Sequence, residues 1–518
     1  MAAGAVGEGS LDLQEVKERR IVLRNGVAFS FLIAVSMSLH AEPVRPNILW
    51  LIAEDLGQDL SCYGAAGVRT PRLDRFASEG VRYTHAYTIT AVCSSSRSSF
   101  MTGMYAFTIG AHNHRSHRDD GYRLPAGVEV LGDLFRRAGY LTANVRQFAK
   151  QGDDGKFFKG TGKTDWNFRY AGAPGKPFDT DKWDDLKRRQ PFFAQINFSE
   201  THRGQEWNTA QEHIGEKADP AKVALPPYYP DHPVAREDWA QYLNTVMALD
   251  RKVGYVLDRL KEDGLADNTI VVFFGDNGRA MMRDKQWPYE SGLKVPLIIR
   301  YPPGVPAPPQ IGAGRTDDRL VMSIDWSATS LWMAGIARPE KMQGRTFLGP
   351  EAVDRAYVYG GRDRGDETVD RIRTVRDKRF RYLRNYYPSR PFLQMNRYKE
   401  TSYPTVALMR ILHERGQLNA TQEVLMQPTR PAEELYDLER DPHEIHNLAA
   451  DPQYAGTLER LRRELDVWIG QIDDQGRFPE PPDVVARCEA EMEKAYGKKI
   501  EGVRQRMLER LGVSPKGP

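Results

Sequence analysis

Cysteine is almost missing: Cys62, Cys93 and Cys488 are the only three in 518 residues. That excludes a disulfide-stapled scaffold. No apolar run is long enough to cross a bilayer comfortably. The longest, Val27–Leu39, has 13 residues, against the roughly 20 that a spanning helix needs. One-sided charge is also missing, since 73 Lys+Arg face 70 Asp+Glu for a formal net charge of +3. A dedicated nucleic-acid binder is therefore not expected. Nor is there a repeat at a 20–50-residue period, which excludes solenoids.

What is present is a globular composition, 40% hydrophobic and 28% charged, with length for one large domain and a smaller one. The apolar run near the start follows Lys17, Arg19, Arg20 and Arg24, and Ser38, His40 and Ala41 mark its end. This order predicts a secretory signal peptide over residues 1–41 and a periplasmic or secreted protein, with an uncleaved anchor as the alternative. No stable membrane span is expected.

Apolar runs at Ile48–Ala53, Phe192–Phe198, Ile270–Phe274 and Val295–Arg300 predict buried strands. Between them, Pro233–Leu260 places Trp239, Leu243, Val246, Leu249, Val253, Val256 and Leu260 at helical spacing. Apolar strands alternating with helices imply an α/β sheet covered on both faces. Past residue 350, short segments at Ala356–Gly361, Arg371–Arg376 and Phe380–Tyr386 predict an antiparallel sheet. Tyr454–Ile472 and a final stretch striped with Val485, Met492, Ile500, Val503, Met507 and Leu511 read as helices.

Three strands run into polar residues: Glu54-Asp55, Ser199-Glu200-Thr201-His202 and Gly275-Asp276-Asn277-Gly278. In open α/β sheets ligands bind beyond the carboxyl ends of strands. Glu54, Asp55, Asp276 and Asn277 offer only oxygen, which suits Ca²⁺ or Mg²⁺ and disfavours zinc. Either pair alone is as well explained by a helix cap or Asx-turn. The segment Cys93-Ser94-Ser95-Ser96-Arg97 can open a helix whose first turn favours an anion. Alone, it is equally a serine-rich turn around a buried cysteine.

Together with Thr102-Gly103, that segment resembles the signature of the formylglycine-dependent sulfatase family. Glu54-Asp55-Leu56-Gly57 and Gly275-Asp276-Asn277-Gly278 resemble its metal-binding segments. Lys285 in Lys285-Gln286-Trp287-Pro288-Tyr289 resembles its catalytic-lysine segment, and Glu434-Leu435-Tyr436-Asp437-Leu438 its C-terminal domain. Pro227–Asp238 is similar to heparan N-sulfatases. The resemblance implies an alkaline-phosphatase-like α/β sandwich over residues 45–350, with a large, mixed, mostly parallel central sheet. A smaller C-terminal α+β domain with an antiparallel sheet would cover 351–475, and a helical tail 476–518.

The resemblance further implies that a formylglycine-generating enzyme oxidises Cys93 to formylglycine. One hydroxyl of the hydrated aldehyde would attack sulfur, and the second would expel sulfate. One Ca²⁺ per chain, or Mg²⁺, would sit on Glu54, Asp55, Asp276, Asn277 and the modified Cys93. Arg97, Lys163, His202 and Lys285 complete the implied catalytic set. The chain departs from the family in three places. Glu54 stands where Asp is usual, Ser95 where Pro or Ala is usual, and Asp165 where a histidine follows the lysine corresponding to Lys163. Either Asp165 or a histidine from elsewhere would then take the proton during sulfate release.

The cationic run His112-Asn113-His114-Arg115 follows the Cys93 segment, so His112, His114 and Arg115 are expected to contact an anionic substrate. Arg203 and Arg362 are candidates for the same role. The expected substrate is a sulfated oligosaccharide, cleaved at a sulfate ester or sulfamate. The alternatives are a phosphonate or phosphate-ester hydrolase of the same fold and a non-catalytic sulfated-glycan binder.

Overall fold

A computed structural model describes residues 45–117, 120–173 and 175–513. The expected signal peptide lies outside the described residues. Among them, no helix is long and apolar enough to cross a membrane.

The large sheet is built from β1 (Asn47–Ala53), β2 (Val81–Tyr87), β3 (Leu141–Gln147), β4 (Thr180–Lys182), β5 (Phe192–Phe198), β6 (Thr269–Gly275), β7 (Lys294–Arg300), β8 (Arg315–Asp317) and β9 (Val321–Met322). Its order is β4-β3-β5-β1-β6-β7-β2-β8, with β9 beside β2. The described pairings are parallel except those of β7, which runs antiparallel to both β6 and β2. All four predicted strands are present. β1, β5 and β6 are buried along their whole length, as near-continuous apolar runs require.

Alternation along β1 sorts its side chains between the two faces. Leu49 and Leu51 enter a core shared with the helix Pro233–Glu262. Ile48, Trp50 and Ile52 enter the opposite core. There Trp50 meets Phe193, Phe274 and Phe100 edge-on, with centroids 5.3, 5.2 and 6.0 Å away. Phe100 belongs to the helix Cys93–Thr102, so this packing fixes that helix on the sheet.

The second sheet is antiparallel, ordered β10 (Val358–Arg362), β11 (Ile372–Arg376), β12 (Phe380–Asn385), β13 (Glu433–Asp437). β13 is Glu434–Asp437 of the resemblance, not foreseen as a strand because Asp and Glu interrupt its apolar pattern. Gly361 N donates to Ile89 O at 3.0 Å, which ties this sheet to the segment leading into the Cys93 helix. A last helix, Pro482–Arg510, packs on the helices Arg397–Ser402 and Pro404–Glu414. Met507 is buried there, whereas the rest of the predicted stripe is half-buried. Residues from Arg45 onward form one compact unit.

Candidate active site

Register brings the polar strand ends together. Ala53 at the end of β1 pairs with Phe198 of β5 and Gly275 of β6, so the residues that follow emerge at one level. Asp55 takes a left-handed conformation (φ 52°), and its backbone N–H donates to Asp276 Oδ1 at 2.9 Å. Asn277 Nδ2 donates to Asp55 Oδ1 at 2.9 Å. Glu54, Asp55, Asp276 and Asn277 are all buried.

Cys93 is the first residue of a helix buried along its full length. Burying so many hydroxyls is tolerable because each finds a partner. Ser96 Oγ donates to Asp276 O at 2.5 Å, and Ser98 and Ser99 bond back one turn within the helix. Ser95 Oγ donates to His112 O at 2.9 Å, and Arg115 N donates to Ser94 Oγ at 2.9 Å. Ser95, the departure from the family pattern, therefore fixes the loop that follows the helix. Arg97 donates from Nε to Asp276 Oδ2 at 2.9 Å and from Nη1 to Asn197 Oδ1 at 2.6 Å. It thus braces the helix against the acidic strand ends.

Lysines neutralise the carboxylates. Lys285 Nζ lies 2.7 Å from Asp55 Oδ2, and Lys163 Nζ lies 2.8 Å from Glu54 Oε2. Burial pushes all these groups toward neutrality, but the pairs outweigh it. Glu54 and Asp55 are held below the usual carboxylate range, and Lys285 well above the usual ammonium range. Asp276, by contrast, is raised by burial despite Arg97. His202 is 4.0 Å from Asp55, and burial, reinforced by Lys285, pushes it down to about 4.

His114 behaves oppositely. Burial pulls its pKa down, but the Asp366 carboxylate, 3.0 Å from Nδ1, raises it to about 9. Its Nε2 lies 3.8 Å from Cys93 Sγ. Asp366 also accepts from Gln286 Nε2 at 2.8 Å. Asp165, the other candidate proton acceptor, has Oδ2 3.8 Å from Lys163 Nζ.

The other expected substrate contacts divide. Arg115 is half-exposed, with Nη1 3.9 Å from Asp366 Oδ1. His112 is buried beside Phe107, and burial, reinforced by Arg373, pushes it down to about 3. Arg203 is buried in a two-pronged pair with Asp238 at 2.8 and 2.9 Å, sandwiched between Trp207 and Tyr403. Arg362 is buried 3.6 Å from Asp370, over Trp287. His112, Arg203 and Arg362 are thus all buried rather than exposed. Arg203's donors are engaged by Asp238 and by the carbonyls of Ala280 and Ser402, whereas His112 Nδ1 and Arg362 Nε are buried without a hydrogen-bond partner.

Asn197 and Asp366 went unrecognised in the sequence. Asn197 was signalled by a polar residue inside an apolar strand. Asp366 lies in the polar turn Gly361–Asp366, of which the sequence reading chose Arg362.

Among the described residues, no group of three His, Cys, Asp or Glu side chains is arranged as a metal site. The chemistry of the strand-end donors still suits a hard cation. They are all oxygen, and Asn277 Oδ1 is buried without a hydrogen-bond partner.

The family profile "Sulfatase" matches residues 46–336. This chain belongs to the sulfatase family. Its fold is alkaline-phosphatase-like, and family membership makes it a sulfuric ester hydrolase. In this sulfatase, residues 278–400 also match the profile "N-sulphoglucosamine sulphohydrolase, C-terminal". An ulvan-active sulfatase of Formosa agariphila is 34% identical over 484 residues, covering 85% of this chain and 77% of that protein. Human N-sulphoglucosamine sulphohydrolase is 27% identical, covering 83% of this chain and 91% of its own. Among solved structures, a 2-O GAG sulfatase aligns with a TM-score of 0.58 at 22% identity, covering 84% of this chain and 94% of the other.

Proposed function

We propose that this chain is an exported sulfatase that removes sulfate from a sulfated glycan, at an ester or a sulfamate. It would use formylglycine at position 93 and one Ca²⁺ or Mg²⁺. The observation that carries the reading is the charged cluster of Arg97, Glu54, Asp55, Asp276, Lys163 and Lys285 beyond the ends of β1 and β6, against the helix that Cys93 opens. When present, hydrated formylglycine supplies the hydroxyl nucleophile, and the cation supplies Lewis acidity. Glu54, Asp55, Asp276 and Asn277 would hold the cation, with the modified side chain at 93.

The chain's own residues do the rest. Arg97 holds the helix that position 93 opens against Asp276. Lys163 and Lys285 would turn from Glu54 and Asp55 toward the sulfate oxygens. Lys285 or His202 would give a proton to the leaving oxygen or nitrogen. His114, paired with Asp366 and 3.8 Å from Cys93 Sγ, would take the proton from the group at position 93 after giving up its own. It would fill the role for which Asp165 is the other candidate. Arg115, half-exposed beside Asp366, would contact the anionic sugar.

The mass of the Cys93 peptide from protein made in its native host tests the nucleophile. A loss of about 18 Da relative to cysteine is expected. Sulfate release from sulfated oligosaccharides, run beside phosphonate esters, tests the substrate class. Cys93→Ala should abolish turnover with the fold intact. An unmodified thiol with retained glycan affinity and no turnover would replace this reading with a binding protein.

A further inference from the structure

The short helix Arg397–Ser402 contains no residue expected to act, yet it is tied to three segments of the site. Its capping residue Asn396 donates from Nδ2 to Gly365 O at 3.2 Å and to Thr368 Oγ1 at 3.0 Å, beside Asp366. Buried Lys399 donates from Nζ to Lys285 O at 2.8 Å. Arg203, the neighbour of His202, donates from Nη1 to Ser402 O at 2.9 Å. Between these ties stands Tyr398. Its ring centroid is 5.2 Å from Lys285 Nζ and 6.0 Å from the His202 ring, to which it lies nearly parallel at 23°. Tyr403 packs edge-on behind it at 5.3 Å. One aromatic ring thus lies beside both groups assigned to the leaving-group proton, and a ring face attracts an ammonium group.

We propose that Tyr398 is a positioning residue for the leaving-group side of the site. Its ring walls Lys285 and His202 on one side, so that either can reach the bridging atom without drifting from the site. This rests on the sulfatase reading above. The ring supplies the contacts, so phenylalanine should serve as well as tyrosine. The effect should depend on the leaving group. An aryl oxide departs with little protonation, whereas a sugar alkoxide needs the proton.

The test compares wild type, Tyr398→Phe, Tyr398→Leu and Tyr398→Ala on two substrates, a sulfated oligosaccharide and 4-nitrophenyl sulfate. In the Leu and Ala variants, kcat on the oligosaccharide should fall about 10- to 100-fold, within the range of one proton-transfer contribution. On the aryl sulfate it should fall no more than about 3-fold, and Tyr398→Phe should keep both near wild type. Equal losses on both substrates would reduce Tyr398 to a structural residue and overturn the proposal. So would a Phe variant as poor as the Ala variant. A folded wild type that carries formylglycine and releases sulfate from neither substrate would instead overturn the sulfatase reading itself.

Discussion

His114 Nε2 lies 3.8 Å from Cys93 Sγ, and its Nδ1 lies 3.0 Å from Asp366 of the loop after β10. The Cys93 helix and the smaller sheet therefore share one contact chain. If His114 and Asp366 act as a unit, the double variant should be no worse than the worse single one. His114→Ala should lower kcat about 100-fold, the lower range of a positioned proton carrier. Asp366→Asn should lower it by a similar factor, with formylglycine still present by mass. Independent, multiplying losses would separate the two residues.

Asp276 should decide cation retention. Metal analysis of purified protein should find about one Ca²⁺ or Mg²⁺ per chain, and Asp276→Asn should lose it together with activity. Chelation of wild type should abolish turnover, and added Ca²⁺ should restore it. Full activity in a thoroughly metal-free preparation would remove the cation from the site.

Arg203 should matter for stability rather than for substrate. Arg203→Ala leaves buried Asp238 without its two-pronged partner. Breaking such a pair costs about 3–5 kcal/mol. Chemical denaturation should show that loss. A raised KM with unchanged stability would return Arg203 to the substrate surface.

Arg115 is half-exposed and should behave in the opposite way. Arg115→Ala should raise KM for a sulfated oligosaccharide by more than it does for a small aryl sulfate, with stability nearly unchanged. Equal effects on both would take it out of the sugar subsite.

His112 sets a pH dependence of stability. Its folded pKa is pushed down to about 3 from 6.5 by burial and Arg373. The unfolded chain therefore binds the proton first as pH falls. The stability linked to neutral His112 is fully present above about pH 6.5 and is lost progressively toward pH 3, by about 2 kcal/mol at pH 5. Denaturation midpoints of wild type should drop over that window, and His112→Asn should flatten the slope. An identical slope in the variant would show that other groups carry it.

The sequence by itself determined the layers. Apolar runs of five to seven residues rich in β-branched and aromatic side chains read as buried strands, so β1, β5, β6 and β7 were legible, and so was the helix Pro233–Glu262 from its spacing. The motifs around Glu54, Asp55, Asp276, Asn277, Lys285 and Cys93 grouped them through their resemblance to the family, and strand register brings Asp55, Asp276, Asn277 and Lys285 into contact. Tertiary structure alone decided how the arginines and histidines are used. A guanidinium reads the same in sequence whether it faces a substrate or, like Arg203, a buried aspartate. Its meaning comes from the partner across the fold, 35 residues away in the case of Asp238. His114 and His112 lie two positions apart, yet Asp366 raises one and burial beside Arg373 lowers the other. Tyr398 belongs to no motif, and only the docking of its helix against Lys285 and His202 gives it a role. Periodicity and local motifs are short-range properties written along the chain. Charge pairing and ring contact depend on which distant segments meet, and that is fixed only when the two sheets close on each other.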